Sequence, residues 1–257
     1  MINCLLTNSV NFRSKTNSQT KSLQSQSYYL KPEDTNADTF ISTQNIKLTP
    51  SFKGLFNWGI NKQDEYGATA LMRAIVNDNN EEVDKLIEAG ASVNKQDKDG
   101  GTALMWAAMK DNSVIANTLI EAGADVNKQD KNGMTALMWV AIAAHKEIAN
   151  ALIEAGADVN KQDKNGMTAL MWAVGDGYKE ITNTLIRAGT NVNKQDKNGK
   201  TALMRAVENN RFETANALIE AGVDVNIKDK NGMTALMWAD EYNCFQIANK
   251  LRKSGAK

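Results

Sequence analysis

Residues 119–139 read LIEAGADVNKQDKNGMTALMW, and residues 152–172 repeat the same letters. The two copies lie 33 residues apart, and the interval extends in both directions. The phrase Asp-x-x-Gly-x-Thr-Ala-Leu-Met opens at Asp64, Asp97, Asp130, Asp163, Asp196 and Asp229, each 33 residues after the last. Self-similarity at this period specifies a stack of like units, each too small to bury its own apolar face, and excludes a single globule.

The punctuation of one unit predicts its elements. Thr69, Thr102, Thr135, Thr168, Thr201 and Thr234 each precede a short Ala-rich apolar run. A hydroxyl there can accept from an otherwise unpaired amide of the first turn, so these threonines are read as N-caps of a first helix. Within that helix Leu137, Val140 and Ala141 fall at i, i+3 and i+4 and form one apolar face. A second helix carries Ile148, Ala149, Leu152 and Ile153 and stops at Gly156, a residue suited to the left-handed position past a helix end. The following Asn160–Gly166 stretch ends in Asn-Gly, a tight-turn signal. One unit is therefore helix, turn, helix, then a hairpin-like finger.

The phrase resembles the ankyrin repeat, whose units run D-x-x-G-x-T-P-L-H-x-A-A, then a helix, then L-L-x-x-G-A-D-V-N. The resemblance covers residues 64–257, with a partial unit leading in at 55–63. The family's proline is replaced throughout by Ala70, Ala103, Ala136, Ala169, Ala202 and Ala235, and its histidine by Met72, Met105, Met138, Met171, Met204 and Met237. Alanine is compatible with a first helical turn, so the resemblance implies an all-α solenoid of six 33-residue units. Residues 51–63 are expected to form an N-terminal cap, with Leu55, Phe56 and Trp58 on the open side of the first unit. Lys85, Lys250 and Arg252 replace apolar or small residues of the inner units and are read as polar caps of the two ends.

Residues 1–50 differ in kind. They hold twenty-four Ser, Thr, Asn or Gln, and no acidic residue precedes Glu33. Such a segment cannot bury enough apolar surface to offset its ordering entropy, and it is read as a disordered polar leader. It lacks the basic and apolar regions of a secretory signal. A plain tail, a transit peptide and the leader of a protein exported by a specialised route all fit its composition; a cytoplasmic location is the first expectation.

Composition excludes several chemistries. Thirty basic residues balance thirty acidic ones, unlike a dedicated nucleic-acid binder. No apolar run is long enough to cross a bilayer. The sole histidine, His145, and two distant cysteines, Cys4 and Cys244, supply neither a catalytic triad nor a zinc site. No enzyme activity, cofactor or metal is expected. His145 and Cys244 share the turn between helices, where local hydrogen bonding and an ordinary thiol are the readings.

The expected function is a binding module for a protein partner, with no nucleic acid or membrane and with the chain monomeric; an exported effector acting on a host protein is the alternative. The ankyrin resemblance implies that first helices and fingers line the partner groove. Trp139 lies about 200° around the helix from core Leu137. By that reading Trp106, Met109, Trp139, Ile142 and Trp172, with Met134 and Met167 at the finger bases, form an apolar strip across units two to four. Tryptophan anchors and adaptable methionines suit recognition, although the indoles can equally fill the stack. The row is expected to turn acidic at Glu208 and Glu241. Eight finger lysines, Lys95, Lys98, Lys128, Lys131, Lys161, Lys164, Lys194 and Lys197, are read as a solvated edge whose field the interleaved aspartates largely cancel.

Overall fold

The computed structural model describes residues 59–257. The polar leader, Leu55, Phe56 and Trp58 lie outside the described residues. Each 33-residue unit contributes two antiparallel helices: α1 (Ala70–Val76) and α2 (Asn80–Glu88), α3 (Ala103–Met109) and α4 (Ser113–Glu121), α5 (Ala136–Ala143) and α6 (Lys146–Glu154), α7 (Ala169–Asp176) and α8 (Lys179–Arg187), α9 (Ala202–Glu208) and α10 (Phe212–Glu220), α11 (Ala235–Glu241) and α12 (Phe245–Lys253). First helices pack on first helices of the neighbouring units and second on second. The expected all-α solenoid is the fold observed.

Helices of seven to nine residues are too short to persist alone, so stacking must hold them. Each first helix starts as its sequence predicts. Thr69, Thr102, Thr135, Thr168, Thr201 and Thr234 accept through Oγ1 from the amide three residues on, at 3.2–3.3 Å. A cap of this kind contributes about 1 kcal/mol. The Leu-Met pair behind each of the first five caps enters a continuous core running through the stack, with Leu71, Met72, Leu104, Met105, Leu137 and Met138 all nearly inaccessible. Full burial of such a side chain is worth roughly 1.5–3 kcal/mol.

The fingers are stitched together by three ladders, which repeat with the units. Gln96 Nε2 donates to the Gly100 carbonyl of its own finger and to the Gln129 carbonyl of the next, and Gln129 and Gln162 do the same one and two units on. Asn94 Oδ1 accepts from the Asp125 amide and Asn127 Oδ1 from the Asp158 amide, both at 2.7 Å. Each fingertip lysine amide donates to the tip of the preceding finger, as Lys131 does to the Asp99 carbonyl at 2.8 Å. Backbone pairing inside the finger is slight. Among the described residues the β-bridges are the isolated pairs Gln96–Thr102 and Gln195–Thr201.

The turn positions also join units. His145 Nδ1 lies 2.8 Å from the Ala108 carbonyl of the preceding unit, so that nitrogen carries the proton. Cys244, three units on, meets the Val207 carbonyl through its thiol at 3.5 Å, and burial pushes the thiol pKa up.

The ends of the stack differ. At the first unit, Asn61 accepts from the Ser92 amide and Gln63 begins the glutamine ladder, so residues 61–63 supply the bonds a preceding finger would give. At unit six the expected cap is only half formed. Arg252 pairs with Asp240 at 2.6 Å and makes the second helix polar. The first helix, however, leaves Met237 44% exposed, whereas its counterpart Met204 is 1% exposed, and Phe245 stands 72% exposed on the second helix. The physical reason is that each of the first five Leu-Met pairs is covered by the next unit, and none follows α11 within the described residues.

Candidate partner-binding face

The finger aspartate organises the face. Asp130 Oδ1 accepts from the Asn132 and Met134 amides at 2.7 and 2.9 Å, closing the turn, and the Asp130 amide donates to the Met134 carbonyl. In four other units the second carboxylate oxygen reaches the residue nine positions later, on the first helix. Trp106 Nε1 donates to Asp97 Oδ2 and Trp238 Nε1 to Asp229 Oδ2, both at 3.0 Å. Arginine does the same elsewhere, from Arg73 to Asp64 at 2.8 Å and from Arg205 to Asp196. Indole and guanidinium are thus interchangeable here, since each clasps the finger to its helix.

Unit four departs from this pattern. Trp172 Nε1 is buried and falls short of hydrogen-bond geometry, although the ring is near enough to Asp163 to lower its carboxyl pKa. Burial is the stronger influence there. It raises the Asp163 pKa above the ordinary aspartate value, against the Met167 and Asn165 amides and Trp172, which pull it down.

Of the seven residues the sequence singled out, five share one surface. Trp106, Trp139, Trp172 and Ile142 are half-buried and packed against the core, and Met109 is half-buried on the same row. Met134 and Met167 are not part of that surface, at 5% and 7% exposed. Both sit immediately before a capping threonine, with amide and carbonyl engaged by the finger aspartate, and their side chains join the core. The tryptophans are accordingly both packed and partly open.

The row changes character beyond unit four. At Gly175 an added Cβ would meet only Asn209 Nδ2, at 3.8 Å, so the row has a gap there. Unit five is charged but internally paired. Lys200 and Arg205 both contact Glu208, and the Lys200 ammonium lies 4.3 Å from the centre of the Trp238 ring, which stacks on Tyr242. Glu208 is therefore neutralised where the sequence suggested an acidic stretch; Glu241 remains exposed.

The finger lysines also differ from expectation. Their neighbouring aspartates turn inward: Asp163, Asp196 and Asp229 are buried, and Asp97 and Asp130 are half-buried or held by the turn they close. Each carboxylate is occupied by turn amides. Interleaving in sequence is not interleaving in space: these carboxylates face the turns they close, while Asp99, Asp125, Asp158 and Asp224 are exposed on the same fingers.

Among the described residues no helix is long and apolar enough to cross a membrane. Compared with known families, the chain matches ankyrin repeats (three copies) over residues 41–130, 115–196 and 176–257. Among curated proteins none gives a significant match. Ankyrin repeats are a protein–protein interaction module, and with its match running from residue 41 to residue 257, and with stacked helix pairs, capping threonines and clasped fingers, this chain belongs to the ankyrin-repeat family.

Proposed function

We propose that the chain is a non-enzymatic binding module whose partner, a protein, docks on the first-helix row of units two to four: Trp106, Met109, Trp139, Ile142 and Trp172. The observation that carries this reading is the partial exposure of five large apolar side chains on adjacent first helices whose backbones are already ordered by the stack. A preordered surface loses little conformational entropy on binding, and packed indoles are rigid anchors of the kind that dominate interface energies. The gap at Gly175 and the paired charges of unit five bound the apolar stretch and favour a partner segment that is apolar along three units and polar beyond them.

The test uses Met109→Gln with Ile142→Gln. These residues are on the row but hold no finger, unlike Trp106, whose truncation would disturb Asp97 as well. Affinity capture from the producing organism should retain a protein with the wild-type chain and lose it with the double variant at unchanged circular dichroism. Equal retention by both chains would refute the row as the docking face.

A further inference from the structure

We infer that the fingertips form a second, separate contact surface, a row of evenly spaced cations that takes an extended acidic protein segment. Lys98, Lys131, Lys164, Lys197 and Lys230 occupy equivalent tip positions and are all exposed. Among the described residues the lysines found in ion pairs are others, Lys85, Lys110, Lys179 and Lys200. The aspartate just before each tip lysine does not face the row, because Asp97, Asp130, Asp163, Asp196 and Asp229 have their carboxylates turned into the turns they close; Asp99, after Lys98, is the exposed exception. One cation per unit is thus presented outward in units two to six, and Glu65 holds the position in unit one.

The spacing of this row is built into the backbone. The amide of each tip lysine donates to the tip of the preceding finger: Lys98 to Tyr66, Lys131 to Asp99, Lys164 to Asn132, Lys197 to Asn165 and Lys230 to Asn198, at 2.8–3.0 Å. The glycine beside each contact leaves no room for slippage, since a Cβ on Gly133 would lie 2.8 Å from the Lys164 amide nitrogen. Packed helices stand about 8–10 Å apart, so successive cations are separated by a similar interval. A polyproline II chain advances about 3.1 Å per residue with about three residues per turn, so every third side chain returns to one face at that interval. The partner chemistry is therefore an extended, polyproline-II-like segment with Asp or Glu at every third position.

A phosphate backbone fits less well. Duplex DNA carries a charge about every 1.7 Å, far denser than one cation per unit. The net charge of zero points the same way. This surface does not depend on the first-helix row, and each can fail without the other.

The test is fluorescence anisotropy with the full chain and a labelled synthetic peptide of repeated Glu-Ser-Ser, at low salt. A variant with Lys98, Lys131, Lys164, Lys197 and Lys230 all changed to Gln is expected to bind about tenfold or more weakly, whereas Met109→Gln with Ile142→Gln binds as wild type does. A peptide of the same composition with its glutamates clustered is expected to bind less well than the spaced one. The inference is overturned if the five-fold variant binds like wild type, if the clustered peptide binds equally, if wild type fails to bind the spaced peptide, or if oligo(dT) binds more tightly than the peptide. Changing a single tip lysine at a time to Gln provides the same reading in graded steps should the five-fold variant fold poorly.

Discussion

Trp106 Nε1 donates to Asp97 Oδ2 at 3.0 Å, which joins the middle of a first helix to the turn that precedes it. The same aspartate accepts the Asp99 and Gly101 amides through its other oxygen. One carboxylate thus closes a finger and fixes the finger's angle to its helix.

Trp106→Phe keeps the ring bulk and removes the bond to Asp97, so it should destabilise the stack by about 1–2 kcal/mol. Trp172→Phe removes a buried donor that falls short of hydrogen-bond geometry, and it should cost less than Trp106→Phe. Urea midpoints of the two variants would test the clasp. A larger loss for Trp172→Phe than for Trp106→Phe would contradict it.

Gly133 and Gly232 share a φ of 79°, yet only Gly133 has a following unit against it. Alanine at Gly232 should incur the left-handed penalty alone, roughly 1–2 kcal/mol. Alanine at Gly133 must also push away the Lys164 amide and break its bond to Asn132, adding about 1 kcal/mol or more. Thermal unfolding of the pair measures the inter-finger contact by difference.

Met204 and Met237 are the same repeat position with and without a covering unit. Met204→Lys places a cation in the core and should lose several kcal/mol, whereas Met237→Lys should change stability by less than about 0.5 kcal/mol. Comparable losses in guanidinium unfolding would show that the unit-six face is covered in solution.

Asp176 is pushed up in pKa by burial, against a smaller opposing pull from Arg211. Its carboxyl therefore keeps its proton to higher pH in the folded chain than in the unfolded one. The native state binds more protons in that window, so this group's contribution to stability is greatest in acid and declines as pH rises from the unfolded aspartate pKa through the raised native one. Asp176→Asn should flatten that decline, as read from urea midpoints across the acid range; an unchanged profile would leave Asp176 without the assigned burial effect.

The repeat unit is legible in the sequence because its signals are local. A threonine before an apolar run and a glycine past a helix act within a few residues, and Thr135 and Gly156 do what their positions suggest. The face is harder to read because its chemistry spans units or turns a side chain around. A wheel angle places Trp139 opposite Leu137 but says nothing of where a long ring leans, so the link from Trp106 back to Asp97 is invisible to it. The same blindness puts Met134 and Met167 on the surface and lets Asp163 cancel Lys164, because neither burial nor direction is encoded in spacing. Repetition offers one clue to the clasp: tryptophan and arginine are the two residues found at a single repeat position, and both can donate to a carboxylate.

The most direct test of the docking face is photo-crosslinking in the producing cell, with p-benzoylphenylalanine placed at Met109 or Ile142 on the first-helix row, or at Asn117 or Asn150, exposed on the second helices. A protein adduct from the first pair and none from the second is the predicted result. Adducts from Asn117 or Asn150 with none from Met109 or Ile142 would contradict it and move the binding surface to the opposite side of the stack.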